Sequence, residues 1–229
     1  MKLHQILFLS ILFLFLLSSC EKEEEDHPIV LAGIYNTDMI YYEYSPSLQL
    51  QFQTDSLKEL KYGIDSIDID SDGSFDFLIS QRINLNWNDN IPRGYLEKYN
   101  FPFCGLSLKN GLEIAYKNES FPTGLGTSSS TMWVDTLPYE KRIDKIMDWH
   151  DSNLHPLDYK GYYNKTIWMC GAPPGSAWWG SYGYWHYLLN VEMYIGVRMK
   201  INSEYKFGWV KVKVNSQDNF EILSYAIEK

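Results

Sequence analysis

One short segment of the chain gathers carboxylates at a spacing that suits a hard metal ion. Residues 68–76 read DIDSDGSFD, so acids alternate with other residues and a glycine follows the third acid. Calcium takes six to eight oxygen ligands, and alternate carboxylates on a tight loop can converge on it. The pattern therefore predicts a calcium site in which Gly73 allows the sharp turn. The predicted ligands are Asp68, Asp70, Asp72, the backbone carbonyl of Ser74, and Asp76.

The alternative for this segment is an Asp-Gly hairpin turn whose acids are solvated. Crowding argues against it, because five acids occur from Asp65 to Asp76. Like charges this close raise one another's pKa unless a cation or wide solvent exposure relieves them. We therefore expect a structural calcium ion that pins a hairpin, bound with the modest affinity of extracellular sites. In this arrangement Phe75 is expected to point into the core.

The loop resembles two known calcium-binding patterns to different degrees. An EF-hand loop carries a bidentate Glu at its twelfth position, where this chain has Ile79, and the flanks here are strand-like. The segment is more similar to the calcium-binding β-hairpin loops of FG-GAP repeats, which share the D-x-D-x-D-G-x-x-D pattern. Only one copy is present in the sequence, so this resemblance does not imply a propeller.

The N-terminal sequence predicts an exported protein. An apolar stretch follows Lys2 and runs from residue 6 to residue 17. A membrane-spanning helix needs about 20 apolar residues, so this stretch is typical of a signal peptide instead. Residues 17–20 read LSSC and resemble the lipobox of bacterial lipoproteins. The resemblance implies cleavage after residue 19 and acylation of Cys20, and the alternative is an ordinary secretory signal with a chance cysteine at its end.

The residues after Cys20 read EKEEED over 21–26, a charge block that predicts a solvated spacer. This block also resembles the acidic export tag of Bacteroidetes-type surface lipoproteins. The resemblance implies attachment to the outer membrane through the lipid anchor alone, with exposure on the cell surface. The predicted organisation is a lipoprotein signal peptide over 1–19, a lipidated Cys20 with an acidic tether over 20–28, and a single β-sandwich domain over 29–229.

Composition excludes two broad classes of protein. The chain has 29 acidic and 20 basic residues, a formal charge of −9, whereas a general nucleic-acid binder needs a basic surface. A hydrophobic content of 45% also excludes a disordered chain. Of the three cysteines, Cys20 is assigned to the lipid, so Cys104 and Cys170 remain. A disulfide between them and two buried free thiols are both open.

Hydrophobic alternation with period two dominates the rest of the chain and predicts strands. Apolar rows over 195–201 and 207–214 flank a turn at 202–204, which predicts a hairpin, and a last strand is expected over 220–227. Residues 139–147 fit either a short helix or an irregular strand. We therefore predict an all-β fold, an antiparallel β-sandwich that is jelly-roll-like and has at most one or two short helices.

The C-terminal region carries a second resemblance. The acidic loop is followed by YIGVRMKI at 194–201, FGWVKVKV at 207–214 and ILSYAIEK at 222–229. This order resembles a group of uncharacterised secreted or lipid-anchored β-sandwich proteins. Here Phe207 replaces their usual tyrosine, and Ile227 replaces their last aromatic residue. The resemblance implies the fold and implies no particular chemistry.

Two further functions are kept as alternatives. Exposed aromatics on glycine-bearing loops can stack on sugars, and residues 168–187 are rich in both aromatics and glycines. The alternative is that these rings fill the core or cover its open end, where aromatic residues mostly lie. The candidate glycan-binding residues are Trp178, Trp179, Tyr182 and Tyr184. A hydrolase with unidentified carboxylates is the other alternative. Glu113 and Glu192 are examples of acids that could form the carboxylate pair of a glycoside hydrolase, but their spacing in the sequence does not single them out as that pair.

No nucleophile elbow, phosphate-binding loop or zinc-protease motif occurs in the sequence. We therefore expect a lipid-anchored surface protein with a structural calcium ion and a non-enzymatic binding or structural role. Its expected partners are the membrane, through the anchor only, and a glycan or another surface protein, but not nucleic acid.

Overall fold

The computed structural model describes residues 29–49, 52–55, 60–84, 103–108, 111–122, 128–151, 166–171, 185, 188–216 and 219–229. These residues form fourteen strands and contain no α-helix, and none of their segments is a helix long and apolar enough to cross a membrane. The strands are β1 (Val30–Leu31), β2 (Met39–Gln49), β3 (Phe52–Asp55), β4 (Leu60–Ile67), β5 (Phe77–Asn84), β6 (Phe103–Leu108), β7 (Leu112–Pro122), β8 (Ser128–Val134), β9 (Arg142–Ile143), β10 (Trp149–Asp151), β11 (Thr166–Gly171), β12 (Glu192–Ile201), β13 (Glu204–Ser216) and β14 (Asn219–Glu228).

Strand β7 takes part in two sheets. Residues 112–115 of β7 pair with β12 and β10, whereas residues 116–122 pair with β8. We call β2, β14, β13, β12, the start of β7 and β10 the front sheet. The end of β7 with β8, β11, β6, β5, β4 and β3 forms the back sheet, in that order. All of these pairs are antiparallel except that of β8 with β11.

The front and back sheets share one hydrophobic core, because period-two alternation turns every second side chain of a strand to the same face. The back sheet contributes Ile67, Phe77 and Leu108 to this core. The front sheet contributes Leu112, Ile114, Ile195, Val197, Met199, Val210, Val212, Val214, Ile222, Tyr225 and Ile227. The predicted all-β, antiparallel, sandwich-like fold is therefore confirmed.

A third, smaller layer covers the outer face of the front sheet. Its two strands, β1 and β9, pair with each other, and a second cluster packs Val30, Leu137 and Ile143 against this face. The indole of Trp209 on β13 lies in that cluster and donates from Nε1 to the carbonyl oxygen of Ile34, at 2.9 Å. Where this layer covers it, the front sheet is thus buried on both faces, which explains why β13 carries a tryptophan directly before its inward-facing Val210.

The strand predictions for the C-terminal region are confirmed. Strands β12 and β13 form a hairpin in which Ile201 pairs with Glu204. Asn202 and Ser203 both have positive φ, at 50° and 74°, as a two-residue turn with the twist of its strands requires. The last strand, β14, spans the predicted 220–227. Residues 139–147 form turns around the short strand β9 and no helix.

Candidate metal centre

The acidic segment forms the connection between β4 and β5. Ile67 ends β4 and pairs with Phe77, the first residue of β5, so the base of the loop is closed by the sheet. The backbone N–H of Asp76 donates to the carbonyl oxygen of Ile67, at 3.0 Å. Ile67, Ile69 and Phe77 are all buried in the shared core. Apolar residues at both ends therefore hold the intervening acids at the rim of that core.

Three of the five predicted ligand residues converge. One carboxylate oxygen from each of Asp68, Asp70 and Asp76 lies within 4.8 Å of the others. Calcium–oxygen distances of about 2.3–2.6 Å allow two oxygens on one ion to be separated by up to about 5 Å. The three oxygens therefore lie close enough to share a single calcium ion. We call Asp68, Asp70 and Asp76 the acidic triad.

Backbone N–H groups orient the acidic triad. Both oxygens of Asp68 accept bonds, Oδ1 from the N–H of Asp72 at 3.1 Å and Oδ2 from that of Gly73 at 2.8 Å. Oδ1 of Asp70 also accepts from Asp72, at 3.1 Å, and Oδ2 of Asp76 accepts from Ile69, at 3.0 Å. A carboxylate offers about four lone-pair sites, so these bonds leave acceptor capacity for a cation.

The turn of the loop depends on backbone conformation at two residues. Ser71 has a φ of 63° and Gly73 a φ of 90°, in the left-handed region. No atom lies within 4 Å of where a side-chain carbon at Gly73 would stand, so the glycine is needed for its backbone angle and not for space. The two left-handed residues turn the backbone so that the N–H groups of residues 72 and 73 point toward Asp68. Gly73 thus has the conformation that a sharp turn at this residue requires.

The electrostatics of the acidic triad favour a cation. Partial burial raises the pKa of Asp70 above its ordinary value of 3.8, and the charges of Asp72 and Asp68 raise it further, although the N–H of Asp72 partly opposes this. Asp76 is completely buried. A shared positive charge would remove the repulsion and offset the desolvation of these carboxylates.

Tyr225, on β14 of the front sheet, was missed by the sequence analysis. Its side chain is buried, and its hydroxyl donates to the backbone carbonyl oxygen of Asp68, at 3.0 Å. Tyr42 stacks on the Tyr225 ring with a centroid distance of 5.7 Å. In the sequence, Tyr225 is distinguished only by its place in the segment ILSYAIEK. No residue near the loop in sequence indicates that a residue so distant in the chain contacts it.

The structure does not bring the two other predicted ligand residues into the acidic triad, and it places Phe75 outside the core. Asp72 is exposed and lies outside the acidic triad, and its Oδ1 accepts from the N–H of Ser74, at 2.6 Å. Ser74 is also exposed. The expectation for Phe75 was wrong, because its side chain is 59% exposed. Asp76 takes the inward position instead, since its carboxylate bonds to the buried backbone of Ile69.

The two carboxylates named for a hydrolase are both held in ion pairs. Oε2 of Glu113 accepts from Nε and Nη2 of Arg198, at 2.9 and 2.5 Å. The Arg198 guanidinium also lies over the rings of Trp149 and Tyr205, at 4.7 and 4.2 Å from their centroids. Glu192 pairs with Nζ of Lys211, at 2.6 Å. Their positions thus favour structural roles.

Several predicted residues lie outside the described residues. These are Cys20 and the four candidate glycan-binding residues Trp178, Trp179, Tyr182 and Tyr184. The neighbouring Trp185 is completely buried and donates from Nε1 to the carbonyl oxygen of Val134, at 3.2 Å. Cys104 and Cys170 lie in the described strands β6 and β11, where they are register partners.

Comparison with known proteins finds no relative of this chain. No model of a known protein family matches the chain, and no curated protein or solved structure matches it either. Functional inference therefore depends on the residues and contacts described above.

Proposed function

We propose that the loop between β4 and β5 binds one calcium ion through the acidic triad, and that this ion is structural. The observation that carries the proposal is the convergence of Asp68, Asp70 and Asp76, the last of them completely buried. Calcium needs further oxygens, and the backbone carbonyl of Ser74, the Asp72 carboxylate or water can supply them. The ion then links both ends of the loop to the rim of the core.

The proposed cellular context is an exported, lipid-anchored protein of the outer membrane that acts as a non-enzymatic binding or structural module. Its support is the LSSC segment with the acidic block that follows Cys20. Extracellular calcium is abundant enough to fill sites with dissociation constants of about 10⁻⁴–10⁻³ M. A weak, partly exposed loop site is therefore suited to that location.

The calcium proposal is tested by thermal unfolding. About 10 mM calcium should raise the melting temperature by roughly 3–10 °C through mass action, and a chelator should reverse the increase. Magnesium should raise it less, because the smaller ion demands near-ideal octahedral geometry.

Matched variants assign the response to the loop. D70N removes one charge but keeps an oxygen that can accept the N–H of Asp72, and it should remove most of the calcium response. D38N removes one charge at an exposed residue outside the loop and should keep the response. An equal calcium shift in the two variants would refute the site.

The anchor is tested separately. Radiolabelled palmitate supplied to producing cells should be incorporated into the chain, and C20A should abolish incorporation. Protease added to intact cells should then degrade the protein if it faces outward. Incorporation that persists in C20A would contradict the proposed anchor.

A further inference from the structure

Two cysteines from distant parts of the sequence occupy opposed positions in the back sheet. The antiparallel register of β6 with β11 makes Cys104 the Cα partner of Cys170. Directly opposed residues in such a ladder have Cα atoms about 4.5–5.5 Å apart and share one face of the sheet. Disulfides span Cα separations of about 4.4–6.8 Å. Residues paired in this register are therefore spaced for a disulfide.

A β-bulge in β11 creates this opposition. Trp168 is opposite Gly105, whereas Cys170 is opposite Cys104, so Met169 is the extra residue. One extra residue shifts the pairing of every later residue in its strand by one position. Each of these residues then shares a face with a different residue of the partner strand. An unbulged ladder would place Met169 opposite Cys104 and leave the two cysteines on different faces.

We propose that Cys104 and Cys170 form a disulfide that fastens β11 to β6. The inference rests on the proposed export, because disulfides persist outside the reducing cytoplasm. In this step both Sγ–H bonds break and one Sγ–Sγ bond forms. The two electrons and two protons pass to an external disulfide, which is reduced to two thiols. A thiol–disulfide oxidoreductase of the cell envelope, or oxidised glutathione in vitro, belongs to that class of oxidant.

The position of β11 indicates what the crosslink contributes. Among the described strands, β11 lies between β8 and β6, and the single pair Trp168–Trp133 joins it to β8. The crosslink also closes a long segment that contains β7, β8, β9 and β10. Closing a long loop restricts the unfolded chain and thereby stabilises the folded one.

The first test is a thiol count and peptide map of the full chain purified from membranes. Alkylation of the denatured, unreduced protein should leave Cys104 and Cys170 unlabelled. Digestion should then give one linked peptide pair, lighter than the sum of its parts by two hydrogen atoms. Alkylation of both residues with no linked pair would overturn the proposal. Cys20 reports independently on the anchor, because an acylated cysteine has no free thiol to label.

A second preparation separates the crosslink from export. The full chain is made by cell-free synthesis under reducing conditions, folded, and then exposed to oxidised glutathione. A linked pair here but not in the cellular protein would support the crosslink and contradict export. Absence of the link from both preparations would contradict the crosslink, whether or not Cys20 is acylated.

Variants test the register directly. C104S combined with S107C moves one thiol along β6 by about 10 Å and should abolish linkage to Cys170. Ser107 is opposite Thr166, so S107C with T166C in a C104S/C170S background should restore a link. The C104S/C170S variant should melt roughly 5–15 °C below the oxidised protein and should not respond to reductant. A wild-type melting temperature that reductant leaves unchanged would refute the stabilising role.

Discussion

The phenol of Tyr225 and the backbone carbonyl of Asp68 form a hydrogen bond of 3.0 Å that joins the two sheets. Tyr225 belongs to the front sheet, and Asp68 begins the acidic loop of the back sheet. Burial raises the pKa of Tyr225 above its ordinary value of 10.0, so the hydroxyl stays protonated and can donate. The loop is therefore held by the core as well as by its own turn.

Removing that hydroxyl should loosen the loop. We expect Y225F to lower the free energy of unfolding by about 0.5–1.5 kcal/mol, the usual net value of one hydrogen bond. Calcium affinity should fall severalfold, because the first acid of the triad is then less firmly placed. Urea unfolding and a calcium titration measure the two effects. Y42F, on the half-exposed neighbouring ring, is the control, and an equal loss of affinity in Y42F would contradict the assigned role.

The buried carboxylate of Asp76 should matter with and without calcium. D76A leaves the N–H of Ile69 without this acceptor, which costs about 1–3 kcal/mol when the donor is buried. D76N keeps an acceptor and should cost less, but both variants should lose the calcium response. D72N should retain most of it, because Asp72 lies outside the acidic triad. Urea unfolding with and without calcium separates these outcomes, and complete loss in D72N would favour the ligand set that the sequence pattern predicts.

The contribution of Asp70 to the pH dependence of stability should change sign when calcium is added. The folded-state pKa of Asp70 is raised above 3.8, chiefly by burial, so the folded protein binds more protons than the unfolded chain just above pH 3.8. Without calcium, the Asp70 contribution to stability therefore falls as pH rises through this window. With calcium, protons compete with the ion, and acidification should reduce the calcium-dependent increase in melting temperature. The difference between wild type and D70N, measured across the window, isolates Asp70, and identical pH profiles would contradict this.

The two glutamate ion pairs should differ strongly in their contributions. Glu113 and Arg198 have side chains only 12% and 15% exposed, and removing one partner of such a pair by E113A should cost about 3–5 kcal/mol. Glu192 is 52% exposed, so E192A should cost about 0–1 kcal/mol. Denaturant unfolding of both variants tests the difference. Equal costs would show that burial around Arg198 and its two aromatic neighbours does not strengthen the pair.

Much of the local structure is predictable because it depends on neighbouring residues. Alternating valines at 210, 212 and 214 indicate a strand with one buried face, and that face is buried in the shared core. The turn at Asn202 and Ser203 follows from residues that tolerate positive φ between two apolar rows. The acidic loop is also visible in the sequence, since the spacing of its carboxylates is a local property.

The position of each acid within the loop is less predictable. A pattern of alternating acids treats Asp72 and Asp76 alike, but only Asp76 is buried. The exposure of Phe75 follows from the same choice, because adjacent residues of an extended segment face opposite ways. The sequence does not show whether the side chain of Phe75 or that of Asp76 faces the core. The hydrogen bond from the buried N–H of Ile69 decides in favour of Asp76.

The amino-acid sequence by itself determined an all-β chain, its hairpin and an acidic loop at the end of a strand, because periodicity and turn chemistry act over a few residues. Tertiary structure alone decided that Tyr225 meets Asp68 and that Arg198 meets Glu113. It also decided that a bulge at Met169 places Cys170 opposite Cys104. These relationships join residues far apart in the chain, and a shift of one residue in strand register would change each of them.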